Sequence, residues 1–215
     1  MKSYKLAYSA LCLALILFGW LGPAMAVMLD GYLPPVRLNG EFTLTDQNDQ
    51  NFSSDQLRGK YTLLMFGYTH CTDICPTALR DALQIKNMLG DKIPVQVVLI
   101  TLDPERDTPA VLANYASAYD PEKIVALTGN LRTINKVAQN YRMKFRKKLS
   151  KRRPGDYAID HSAFLYLLDK KGSPLVFYLY GTTLNDVVSD VKLLDQHGQG
   201  LVTGRMINKA GMMDH

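Results

Sequence analysis

Apolar runs alternate along the chain with stretches of helical period. Tyr61 to Tyr68 is almost continuously apolar and reads as a buried strand, and Val95 to Thr101 is a second. Between them Ala78, Ala82, Ile85 and Leu89 recur at helical spacing, and Gly90 stops that helix. Asp107-Thr108-Pro109 caps a further helix whose stripe is Val111, Leu112, Tyr115, Ala118 and Tyr119. Ile124 to Leu127 is a short strand, and Leu131, Ile134, Ala138 and Tyr141 mark the next helix. Ser162 to Leu168 and Leu175 to Leu179 read as two strands of a hairpin, with the turn between them. Thr183 begins a last helix with Leu184, Val187, Val188, Val191 and Leu194 on one face. Upstream, Phe42 to Thr45 alternates ahead of Asp46 to Gln50, which predicts a short hairpin.

Parallel strands need helical crossovers, whereas the late hairpin is antiparallel. The order therefore predicts an α/β protein: a mixed sheet flanked by helices, with an N-terminal β-hairpin extension. The thioredoxin fold has this order, and it commonly places a cysteine pair where the first long strand meets its helix. The folded domain is expected over residues 38–197. Gly31 and Pro34-Pro35 make residues 27–37 read as a tether, and the Gly-rich, aperiodic residues 198–215 as a flexible tail. Residues 1–26 join Lys2 and Lys5 to an uncharged stretch ending Ala24-Met25-Ala26. That is either a signal cleaved after Ala26 or a retained membrane anchor. Both send the remainder out of the cytoplasm, to the periplasm or the extracytoplasmic face of the inner membrane.

Of the 215 residues, 47% are apolar, which permits a substantial core and excludes global disorder. The net charge of +5 is uneven. Arg142 to Arg153 holds eight Lys or Arg and no acid; elsewhere 17 basic residues face 20 acidic ones. Nucleic acid is a poor partner for an exported chain. The basic segment fits an acidic protein face or anionic headgroups, or is simply a solvated loop.

Cys12 lies in the apolar N-terminal stretch and reads as one more apolar residue. The other two cysteines, Cys71 and Cys75, follow the first long strand in Cys71-Thr-Asp-Ile-Cys75-Pro76. Pro76 places Cys75 at a helix N-terminus, where unpaired N–H groups favour a thiolate. A turn of this length lets the sulfurs meet each other or one ion, and a purely structural disulfide is a further reading. Dithiol redox motifs usually have two residues between the cysteines, and here there are three. His161, at the predicted start of the 162–168 strand, reads either as a core histidine or as a third ligand. Asp160 could orient it from behind, although adjacent residues often point apart. Asp103 and Asp107 read as turn and cap residues.

Cys71-Thr-Asp-Ile-Cys75-Pro76, Leu102-Asp-Pro-Glu-Arg-Asp-Thr-Pro109 and Asp160-His161-Ser162 together resemble the Sco/SenC family of copper proteins. The likeness spans roughly Glu41 to Leu194. It implies a thioredoxin-like fold and one copper ion, Cu(I) or Cu(II), held by Cys71, Cys75 and His161. It also implies a role in assembling the binuclear copper centre of cytochrome c oxidase. The partners would be the copper-receiving oxidase subunit and other copper carriers or thiol reductants, at a membrane. The basic segment is less typical of the family.

Two thiolates and an imidazole suit copper independently, although zinc with a water is chemically possible. Met206, Met212, Met213 and His215 form a tail that could touch copper or be a disordered end. The alternative function is an extracytoplasmic thiol–disulfide oxidoreductase using Cys71 and Cys75 as a redox disulfide. Thiol peroxidase chemistry is disfavoured, because Phe66-Gly-Tyr-Thr-His-Cys71 lacks a Thr-x-x-Cys arrangement.

Overall fold

The computed structural model describes residues 27–34, 38–120, 124–150, 155–198 and 202–206. The two expected buried strands are β4 (Tyr61–Gly67) and β5 (Val95–Thr101), paired in parallel. Every residue of β4 is buried. Its side chains alternate between two cores: Leu63 and Met65 on one side of the sheet, Leu64 and Phe66 on the other. The first core takes Leu79, Ala82, Ile85 and Leu89 of α1 (Ile74–Leu89), with Leu112 of α2 (Pro109–Ser117) and Val187 and Val191 of α4 (Leu184–His197). The second takes Ile134, Val137 and Ala138 of α3 (Leu131–Asn140). Burying one such Leu or Ile side chain contributes about 1.5–3 kcal/mol. Thr108, Asn130 and Thr183 cap α2, α3 and α4 through their side chains.

The remaining strands are β1 (Val27–Leu33), β2 (Thr43–Asp46), β3 (Asn51–Ser53), β6 (Ile124–Thr128), β7 (Phe145–Leu149), β8 (Tyr157–His161), β9 (Phe164–Leu168), β10 (Pro174–Leu179) and β11 (Val202–Met206). Nine of the eleven described strands form one sheet in the order β11-β1-β10-β9-β4-β5-β6-β2-β3, and β7 and β8 form a separate pair. The mixed sheet, the flanking helices and the β2–β3 hairpin are as expected from the sequence.

Four expectations change. The tether expected over 27–37 is in part a strand, because β1 pairs with β10 and β11. Gly31 is not a hinge there: a Cβ on it would lie 2.8 Å from Val176 Cγ2, so glycine lets the backbones approach. The tail expected over 198–215 contains β11, which runs parallel to β1. The basic segment is no loop over 145–149, since β7 pairs with β8 along its length. His161 ends β8 instead of starting β9, because Ser162 and Ala163 separate the two strands. The N-terminal stretch with Cys12, and Met212, Met213 and His215, lie outside the described residues.

Asp190 fixes β1 from beneath. Its buried carboxylate accepts hydrogen bonds from Asp30 N and Gly31 N, both 2.9 Å, and from Tyr178 Oη, 2.9 Å. Burial pushes this carboxyl up, while the three donors pull it back toward the charged form. Asp190→Ala strands those donors and is expected to cost about 2–4 kcal/mol. Urea unfolding measures the cost, and a loss below about 0.5 kcal/mol, the scale of an ordinary surface change, would show that Asp190 does not anchor β1.

Candidate functional site

The chain leaves the sheet at Gly67 and turns through Tyr68 to Asp73, with Cys71 N donating to Tyr68 O at 3.2 Å. At the start of α1, Asp73 makes no side-chain cap bond. The Cys75 amide instead donates to Cys71 Sγ at 3.5 Å, so a sulfur takes up one of the free N–H groups of the helix end. Cys75 is buried and Cys71 half-buried, and both are free thiols. A Cβ on Gly67 would lie 3.1 Å from Cys75 Sγ and 3.3 Å from Leu99 Cδ1, so the absent side chain makes room for the sulfur.

Cys75 Sγ lies 3.6 Å from His161 Nε2. The other ring nitrogen, Nδ1, is 3.0 Å from Ser162 O. A carbonyl only accepts, so that bond puts the hydrogen on Nδ1 and leaves the Nε2 lone pair facing Cys75. Tyr68 meets the imidazole edge-on at 6.2 Å, and its hydroxyl oxygen accepts from Ile159 N at 3.2 Å. Burial above all, and then the hydrogen bond with Cys71, pushes the Cys75 thiol well up. The protonated thiol thus faces the Nε2 lone pair. The thiolate expected from the helix N-terminus is overturned at Cys75, since desolvation outweighs the helix end.

The structure sets Cys75 against His161 and places Cys71, whose sulfur is engaged by the Cys75 amide, in one cleft with His161. Among the described residues no three His, Cys, Asp or Glu side chains are already gathered as a cage for an ion. Cys75 and His161 touch, and a three-donor site needs the Cys71 sulfur to turn from the Cys75 amide toward them. The donor set fits copper: two soft sulfurs, and an imidazole whose tautomer leaves a ring nitrogen free. Asp160 does not orient His161. Adjacent strand residues point to opposite faces, and Asp160 instead pairs with Arg146 at 3.1 Å.

Asp103 and Asp107 do more than turn the chain. Asp107 is fully buried and accepts from Thr69 N at 3.0 Å, Thr69 Oγ1 at 2.6 Å and Thr101 Oγ1. It clamps the cysteine loop to the end of β5. Asp103 accepts from Arg106 and from Tyr157 Oη, the latter at 2.7 Å. Arg106 and Lys147 each stand 3.7 Å from the Tyr157 ring, on the strand that ends in His161. One loop, residues 101–108, therefore braces both halves of the site. The sequence signal was two acidic residues directly after a buried strand, which bury only when they are partnered.

A cysteine pair beside the first turn of the helix after a central strand, facing a histidine from a neighbouring hairpin, defines a thioredoxin-like protein with a dithiol–imidazole site. The chain belongs to the SCO1/SenC family, whose model matches residues 31–195. It is 42% identical over 150 residues to an SCO2-like protein of Rickettsia prowazekii, covering 69% of this chain and 73% of the relative. Arabidopsis thaliana ScoI, solved with copper bound, superposes with a TM-score of 0.69 at 31% identity, over 74% of this chain and 99% of that one. BsSco, described as having a disulfide switch and as a member of the Sco family of cytochrome c oxidase assembly proteins, superposes with a TM-score of 0.59 at 27% identity. That match covers 74% of this chain and 95% of BsSco.

Asp107→Ala leaves Thr69 N and two threonine hydroxyls without their acceptor, and is expected to destabilise the fold by about 2–4 kcal/mol. It should also speed alkylation of Cys71 at denaturant concentrations where the fold persists. Wild-type labelling rates in the variant would show that the clamp does not hold the loop.

Proposed function

We propose that the chain binds one copper ion through Cys71, Cys75 and His161. In this reading it delivers copper to the binuclear centre of cytochrome c oxidase, on the receiving subunit. The observation that carries this is the 3.6 Å approach of Cys75 Sγ to a His161 nitrogen left free by the Nδ1–Ser162 bond. Thiolates suit Cu(I), and imidazole suits copper in both oxidation states. Copper in the Arabidopsis relative, and oxidase assembly in the description of BsSco, support the same reading. Metal binding requires the Cys75 thiol to lose the proton that burial holds on it, so loading should weaken as pH falls. Export to the extracytoplasmic face of the inner membrane rests on residues 1–26. Among the described residues no helix is long and apolar enough to cross a membrane.

The second reading is thiol–disulfide exchange with a partner's cysteines. The free dithiol favours it, with the half-buried Cys71 as the sulfur a partner can reach. Copper cannot bind an oxidised pair, so the two uses share one reduced state.

His161 separates them. The reduced chain is expected to bind one copper, and Cys71→Ser or Cys75→Ser to abolish tight binding. His161→Ala should lose Cu(II) first and keep some Cu(I), since two thiolates still suit the softer ion. Oxidase assembly should fail in that mutant and recover in part with added copper. Metal analysis, thiol-exchange rates and oxidase activity in cells test this. Normal oxidase activity with His161→Ala, when both cysteine mutants are dead, would replace delivery by reduction.

A further inference from the structure

The β7–β8 hairpin ends at the site. Its register sets Phe145 opposite His161, Lys147 opposite Ile159 and Leu149 opposite Tyr157. Those six share one face, which carries the buried Ile159 and the ring of Tyr157 toward the domain. The other face carries Arg146 opposite Asp160 and Lys148 opposite Ala158, and Lys144 precedes them on the same alternation. All three cations are exposed. Arg146 is engaged by Asp160, while Lys144 and Lys148 make no ion pair among the described residues. Lys147, on the inner face, is held by Glu105 at 2.7 Å.

Two of the depressions that reach His161 have a free lysine of this hairpin on the wall. A cleft of about 960 Å³ contains Cys71, Tyr68 and His161 together with Lys148 and Leu149. A shallower one of about 340 Å³ contains His161 with Lys144 and Arg146. The acids at these walls are Asp73, Asp156 and Asp160. Asp156 lies 3.7 Å from Arg106, which is also bonded to Asp103, and Asp160 faces Arg146. Asp73 is left at the helix start on the opposite wall from the lysines. The exposed Leu149 adds an apolar contact at the rim of the larger cleft.

We propose that the outer face of the β7–β8 hairpin is a docking surface for an acidic protein face, which it holds over His161 and Cys71. The inference rests on the copper-delivery reading, because a metal acceptor has to come to these depressions. Anionic lipid would attract the same lysines. A bilayer lying on this face, however, would close both of these depressions, including the cleft that opens Cys71 and His161 together. Cations spaced two residues apart along a strand, about 6.6 Å, offer an acidic face a row of contacts and speed its approach more than they tighten the final complex.

The test uses the full chain, wild type and Lys144→Glu/Lys148→Glu, with the copper-receiving subunit of the oxidase as the probe. Association rates are measured over a salt series, for the copper-loaded and the metal-free dithiol forms. The wild-type rate should fall steeply with salt, and the variant should associate ~tenfold more slowly at low ionic strength and converge with wild type at high salt. Copper loading should be equal in both. Equal rates at low salt, or no association of the wild type in either form, would overturn the docking surface. So would loss of binding to phosphatidylglycerol vesicles with the subunit rate unchanged, which assigns the lysines to lipid. Failure of both proteins to load copper would count against the delivery reading alone, since the metal-free form still reports docking.

Discussion

The site depends on the parallel register of β4 and β5. Seven pairs run from Tyr61 with Val95 to Gly67 with Thr101, and Leu102 N donates to Gly67 O at 2.7 Å. Parallel strands of equal length end on the same edge of the sheet, so the loops that follow them start side by side. The loop after β4 brings the cysteines and the loop after β5 brings Asp103 and Asp107. On the other side β9 runs antiparallel to β4, pairing Met65 with Leu165, so β9 starts at that same edge. His161, shortly before it, then arrives beside Cys75. A slip of one residue in β4 would exchange Leu63 and Met65 with Leu64 and Phe66 across the sheet. Both cores oppose that slip, and the site inherits their rigidity.

What could be read from the sequence was whatever has a local period. The buried strands, the helical stripes, the caps at Thr108 and Thr183 and the β9–β10 hairpin follow from apolar spacing and turn chemistry. The three site residues were legible as residue types in motifs, and of them Cys75 and His161 touch. What depends on distant partners was hidden. Gly31 and Pro34-Pro35 look like a linker, and only Val176, Asp190 and β11 make the segment a strand. β7 has the composition of a solvated loop and is a strand because Tyr157, Glu105 and Asp160 receive its charges. The break at Ser162 and Ala163 leaves no mark in an apolar pattern. The bracing role of Asp103 and Asp107 needs Thr69, Thr101 and Tyr157 to be nearby, and no local rule places them there.

The two sulfurs are not equivalent, and the difference follows from where each sits. A helix N-terminus favours a nearby negative charge by about 0.3–1 kcal/mol in exposed settings. Taking a charge fully out of water costs several kcal/mol before partners repay it. Cys75 has the helix end and the burial together, and burial wins, so its thiol is pushed up. Cys71 accepts the Cys75 amide and stays half-buried, open toward whatever reaches the cleft. Any use of Cys75, as ligand or as nucleophile, has first to remove its proton. His161 Nε2, left free by the bond from Nδ1 to Ser162 O, faces that sulfur as the neighbouring lone-pair donor. The residue that separates delivery from reduction therefore stands against the inner sulfur, and Gly67, by leaving space for that sulfur, keeps the two within reach of each other.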